Sequence, residues 1–225
     1  MSKGLCLCSG GLDSSLTLLK LLELGYEVTP VYVDYIHWAT EGELPALWDF
    51  LSWVGQQSIG SLTDLVIVKV DLGLRVGGVW GRSIALVGLA AMWAFTHGND
   101  YDFIALGNHK GDVCPDCKPG LFDKELDTVL KVATKDKIQL LLPIADLTIE
   151  DIGKELAKYC VPWDIMYSCY WYPNCQFRSE NDKYLCPGCR RKIIAMQAAG
   201  VSEDKLYPPN GGRTYYPENT ERLGY

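Results

Sequence analysis

A basic excess is missing from this chain: 21 Lys+Arg stand against 28 Asp+Glu, a net charge of −7 over 225 residues. Neutralising bulk phosphate needs a basic face, so nucleic acid is not an expected partner. The N-terminus lacks the basic, apolar and small-residue regions of a signal peptide. No apolar run reaches bilayer length. The most apolar candidate, SIALVGLAAMWAF over 83–95, is too short to span and reads as a buried helix. No membrane contact is expected, and a cytoplasmic location is. The nine cysteines are then an odd count in a reducing compartment, which argues against a disulfide framework. Low-complexity tracts and internal repeats are absent, and so are GxxxxGK[ST] and GxGxxG, which removes the common P-loop and dinucleotide readings. What remains is an ordinary globular composition, 48% hydrophobic and long enough to bury a full core.

Apolar runs alternate with helical patterns. The spacing predicts strands over 4–8, 27–34, 64–70, 101–107 and 138–143, and helices over 14–25, 81–98, 124–133 and 148–160. Such alternation implies an α/β domain with a parallel sheet buried on both faces. The expected class is a Rossmann-like α/β fold over 1–165, followed by a small zinc-binding helical subdomain with a C-terminal tail over 166–225. Residues 35–62, with Trp38, Trp48 and Trp53, are expected to form a helix plus loop over the carboxyl ends of the strands.

The string SGGLDSS at 9–15 sits between the first strand and the first helix. Ligands of open α/β sheets bind where such a loop enters a helix, and its free N–H groups and helix dipole suit an anion. Gly10 and Gly11 let the backbone curl close, and Ser9, Ser14 and Ser15 add hydroxyls. Asp13 would repel a phosphate unless Mg²⁺ lay between them, so a metal-bound nucleotide is expected. The string resembles the PP-loop of the N-type ATP pyrophosphatases, which split ATP between the α and β phosphates and adenylate an acyl or carbonyl oxygen. A plain strand-to-helix turn is the bland alternative.

Cys186 and Cys189 form a C-x₂-C pair around Pro187 and Gly188. With Cys169 and Cys175 they could complete a closed, structural Cys₄ zinc site. Burial as small hydrophobes and a redox pair are the alternatives. A second C-x₂-C, CPDC at 114–117, leaves six candidate ligands by spacing alone.

Taken together, LCLCSGGLDSSL, VDY at 33–35, GRSIALVGLAAMWA, ALGNHKGDVCPDCKPGLFD and VPWDIMYSCY before the cysteine knuckle resemble the QueC family, the 7-cyano-7-deazaguanine synthases of queuosine and deazapurine biosynthesis. The resemblance runs from residue 4 to about 195. It implies an ATP-dependent ligase that turns 7-carboxy-7-deazaguanine and ammonia into the nitrile, with a structural zinc, Mg²⁺ and often a homodimer. It implies ATP binding by Ser9, Gly10, Gly11, Leu12, Asp13, Ser14 and Ser15, catalysis by Asp13, Ser14 and Arg82, and substrate binding by Tyr35, Asn108, Asp116, Cys117 and Lys118. It makes Cys169, Cys175, Cys186 and Cys189 the zinc ligands, and Cys114 incidental. The sequence departs from the family in IHWA at 36–39, in Ser83 for Asn, in Lys118 for Arg, and in a C-x₅-C-x₁₀-C-x₂-C zinc spacing.

Asp116 could read a guanine-like N1–H and amino group, or serve only as a turn residue. His97 is expected to cap a helix, His37 and His109 have weak claims, and Arg191 and Lys192 are expected to face solvent. Two rival functions stand beside the ligase. One is a PP-loop relative that amidates or thiolates another acid or tRNA. The other is a non-catalytic nucleotide-binding or zinc interaction module.

Overall fold

Strand β1 (Lys3–Leu7) lies at the centre of an all-parallel sheet, with β2 (Glu27–Asp34) on one side and β5 (Phe103–Ala105) on the other. The computed structural model describes residues 1–35, 39–71, 81–97, 100–112, 114–120, 122–170 and 186–202. Beyond β2 the edge is split between β3 (Ser61–Leu62) and β4 (Val66–Lys69), and beyond β5 lies β6 (Gln139–Leu141). The split has a local cause. Val28 gives its carbonyl to Thr63 N at 3.0 Å and Val31 gives its own to Cys8 N at 2.8 Å, so alternation turns Pro30 toward the edge. Pro30 has no N–H to offer there, and pairing lapses between β3 and β4.

Alternate strand residues feed two cores. Cys6, Val28, Tyr32 and Phe103 meet Leu16 and Leu19 of α1 (Leu12–Glu23), Leu47 and Phe50 of α2 (Thr40–Gln57), and Ile152 and Leu156 of α5 (Ile149–Lys158). Leu5, Val31, Val33 and Ile104 meet Val87, Ala90 and Ala94 of α3 (Arg82–Thr96) and Leu126 and Leu130 of α4 (Asp123–Thr134). The last described helix, α6 (Pro187–Ala198), packs on α5, with Ala195 in the first core.

The parallel α/β class agrees with the pattern of apolar runs, and β2 matches its expected span. Residues 40–57 form α2, the crossover helix between β2 and β3. One expectation fails. Helix α3 is not buried all round: only Ser83, Val87, Ala90, Ala91 and Ala94 are buried, while Ile84, Met92 and Phe95 are 43%, 65% and 53% exposed. The small residues let α3 sit close on the sheet, and the large apolar ones line one outer stripe. Among the described residues no helix is long and apolar enough to cross a membrane.

Candidate active site

The chain order places β2–β4 to one side of β1 and β5–β6 to the other, so a crevice opens between the loops that follow β1 and β5. The two loops touch there: a Cβ on Gly107 would lie 2.8 Å from the Asp13 carbonyl carbon. Gly10 turns at φ +74°, and a Cβ on it would meet Leu47 N of α2 at 2.8 Å, so the bend requires glycine. No side chain caps α1 at Gly11. The first-turn amides of Leu12, Asp13 and Ser14 therefore have no intrahelical acceptor. Leu12 itself is core; only its amide serves the loop. Ser9 N donates to Ser14 Oγ at 3.2 Å, and Ser14 Oγ donates to Gly11 O at 3.3 Å, so Ser14 braces the turn. Ser15 Oγ and Asp13 Oδ1 are buried and have no hydrogen-bond partner among the described residues.

Asp13 is met from the far end of the chain. Arg191 Nη2 on α6 donates to Asp13 Oδ2 at 2.8 Å and also contacts His109 Nε2. His109, 1% exposed, lies 3.9 Å from Asp13 Oδ1 and 3.5 Å from Asp112 Oδ1. Burial pushes the Asp13 carboxyl up, and the charge of Arg191 opposes that shift. Arg191 thus does not face solvent as its position in the sequence suggested. Nor does Lys192, whose Nζ donates to Met166 O at 2.7 Å and which burial pushes down to about 8. Next along, Tyr167 N donates to Gly10 O at 2.9 Å, so this C-terminal segment grips the loop directly.

A second group lies beyond the end of β2. Tyr35, buried, takes a hydrogen bond from the exposed Arg82 at the start of α3. Tyr32 Oη donates to Glu43 Oε2 at 3.1 Å, and burial pushes Glu43 up to about 7. Asp116 Oδ2 accepts from Ser83 N at 3.0 Å and caps α3, while Cys117 Sγ sits 3.3 Å from Ser83 Oγ. Asp116 therefore gives one oxygen to the helix and keeps Oδ1. Asn108 is half-buried after β5, and Lys118 is exposed, its amide closing a turn on Cys114 O. Tyr170 feels the charges of Arg191, Asp13 and Arg82, which ties the two groups together. Sequence reasoning missed Arg191, Glu43 and Asp112 and undervalued His109. An Arg-Arg-Lys run behind a knuckle in an acidic chain was the available signal.

The sulfurs of Cys169, Cys186 and Cys189 lie within 4.8 Å of one another, and all three residues are buried. Cys186 Sγ accepts from Tyr170 N at 3.3 Å and Cys189 N at 3.4 Å. Contacts from the Cys169 and Cys189 thiols pull Cys186 well below the usual thiol range. Buried soft donors with amide support fit a thiophilic ion such as zinc. Cys175, the expected fourth ligand, lies outside the described residues, as do His37 and Trp38. Cys114 and Cys117 stand apart from this cluster. His97 caps α3 as expected, its Nδ1 2.9 Å from Trp93 O.

The family model for queuosine biosynthesis protein QueC matches residues 48–200. The chain belongs to the QueC family. QueC relatives cover nearly the whole chain. A 7-cyano-7-deazaguanine synthase of Campylobacter curvus is 26% identical over 92% of this chain and 98% of its own. Those of Picrophilus torridus and Thermoplasma volcanium are 30% and 28% identical, over 96% of this chain and 96% and 92% of theirs. The QueC match spans Arg82, Asp116 and the cysteine cluster. The glycine loop at 9–15 precedes it and stands on its own residues and geometry.

Proposed function

We propose that this chain is an ATP-dependent C–N ligase converting 7-carboxy-7-deazaguanine and ammonia into 7-cyano-7-deazaguanine, at the cost of two ATP. One geometric observation carries the ATP half: α1 begins uncapped at the sheet's switch point, beside a buried Asp13 Oδ1 that has no hydrogen-bond partner among the described residues. The relatives, each a 7-cyano-7-deazaguanine synthase, support the acid half.

A carboxylate resists ammonia because its leaving group would be oxide. Its oxygen therefore attacks the α-phosphorus of ATP, pyrophosphate leaves, and AMP becomes the leaving group. Ammonia adds to the carbonyl carbon and expels AMP, losing a proton to give the amide. The amide oxygen then takes a second adenylyl group, and loss of AMP and a proton gives the nitrile. The first-turn amides of Leu12, Asp13 and Ser14 and the α1 dipole stabilise the departing pyrophosphate. Ser9, Gly10, Gly11 and Ser15 shape that cradle. Arg82 meets the charge on the acyl phosphate. Tyr35, Asn108, Cys117 and Lys118 hold the deazaguanine, and Asp116 reads its N1–H and amino group through Oδ1. A magnesium ion between Asp13 and the phosphates would neutralise their repulsion. Zinc would be held by Cys169, Cys175, Cys186 and Cys189, closed and structural.

We place the reaction in the cytoplasm. A homodimer fits the apolar stripe of Ile84, Met92 and Phe95 on α3, which pairing would cover. The test is incubation with ATP, Mg²⁺, ammonia and the acid, read by mass spectrometry. AMP, pyrophosphate and the nitrile mass are expected. ADP and phosphate would contradict the class, and AMP formed only with another acid or a tRNA would move the chain to a different substrate.

A further inference from the structure

The arginine that crosses from α6 has no part in the mechanism above, and its surroundings suit an anion better than the carboxylate it now touches. His109 Nδ1 accepts from Gly111 N at 3.0 Å, so a neutral ring carries its proton on Nε2. That N–H faces Arg191 Nη2, which makes two donors meet. The first-turn amides of α1 add further donors. Against them stand Asp13, whose Oδ2 takes Arg191 at 2.8 Å, and Asp112, whose Oδ1 is 3.8 Å from Arg191 Nη1. The remaining arginine contact is a long one, 3.4 Å to Tyr170 Oη. A pyrophosphate group brings several acceptors, and a pair of its oxygens matches the fork of a guanidinium.

The backbone beneath Arg191 is fixed by the cysteine cluster. Cys186 caps α6 and Cys189 lies in its first turn, two residues before Arg191. Lys192 on Met166 O holds the next turn to the strap that grips Gly10. We propose that Arg191 is a catalytic residue of the ATP half-reaction: it binds the β- and γ-phosphates that leave as pyrophosphate, rests on Asp13 when they are absent, and is aimed by the cysteine knuckle. This rests on the ATP reading of the proposed function. Asp13 is released for the metal as the arginine turns to the phosphates, so binding exchanges one ion pair for two.

The test measures affinity and needs no acid substrate. The zinc-loaded protein is titrated by calorimetry with α,β-methylene-ATP plus Mg²⁺, and with pyrophosphate in magnesium-free buffer. Arg191→Ala, with zinc content and circular dichroism unchanged, is expected to weaken both by about 10- to 100-fold, the range of a charge-assisted hydrogen bond. Arg191→Lys should recover part of the loss. Asp13→Asn should bind magnesium-free pyrophosphate at least as well as the wild type, since it removes a repulsive carboxylate and frees the arginine. An arginine that merely holds Asp13 for the metal would leave magnesium-free binding unmoved in Arg191→Ala, and that result overturns the proposal. A wild type that binds neither ligand would instead remove the ATP reading, and this inference with it.

Discussion

Helix α1 begins at Gly11 with no side chain over its amides, whereas α6 begins at Cys186, whose own sulfur accepts from Cys189 N at 3.4 Å. Helix α5 is sealed in the ordinary way, by a capping box between Thr148 and Asp151. An open helix start is costly unless something else meets its donors. The difference separates two kinds of site that lie against one another. The open start leaves amides that a ligand could meet. The closed start caps itself with the Cys186 sulfur, in a cluster of three buried cysteines that could hold a metal ion. Tyr167 and Arg191 join them, one gripping the loop at Gly10 and the other reaching Asp13.

The sharpest way to break this contrast is to remove Asp13. Asp13→Ala should lower AMP and pyrophosphate release by about a hundred- to a thousandfold, with the near-ultraviolet circular dichroism unchanged. The carboxylate is desolvated and partly uncompensated, so the fold does not depend on it. Near wild-type release would make the open helix start a structural accident. Next in size is the closed end. Cys186→Ser should strip zinc and lower the thermal midpoint, because it removes a thiolate ligand while the serine hydroxyl can still cap α6. Cys114→Ser should keep full metal content. A Cys186→Ser protein retaining its zinc would mean the cluster is not the metal centre.

Smaller effects sharpen the boundary between the two regions. Gly10→Ala forces a side chain to φ +74° against Leu47 N, at about 1–2 kcal/mol for the backbone alone. The melting midpoint should fall by about 2–4 °C per kcal/mol, with a matching rise in KM for ATP. Glu43, pushed by burial from an ordinary 4.5 to about 7, should make stability depend on pH. Its folded-state value is the higher one, so its contribution is full below about 4.5 and is lost as the pH rises through about 7. Glu43→Gln should flatten that part of a midpoint-against-pH curve. An unchanged slope would place the titrating group elsewhere.

What could be read from the sequence follows the same division. The shape of the loop at 9–15 was legible because it is local: consecutive residues supply the bend, the amides and the carboxylate. Strand β2 was legible from its apolar run, and the sulfurs of Cys186 and Cys189 from their two-residue spacing. Arg191 was not, because its role depends on a contact across 178 positions that only the packing of α6 on α5 creates. His109 was weighed as a lone histidine, and nothing nearby in sequence announces that it is 1% exposed. Glu43 was invisible for a related reason, its partner Tyr32 being on another element. Helix α3 misled in the opposite direction: a run apolar on every side gives no hint of which stripe the sheet will leave uncovered.

The adenylation of the substrate's own oxygens is the central claim, and isotope transfer tests it most directly. The acid is supplied with both carboxylate oxygens as ¹⁸O, together with ATP, Mg²⁺ and ammonia, and the nucleotide product is weighed. If the carboxylate and then the amide oxygen attack the α-phosphorus, every AMP formed in productive turnover carries one ¹⁸O and the nitrile carries none. Unlabelled AMP, or label recovered in inorganic phosphate, would contradict the account.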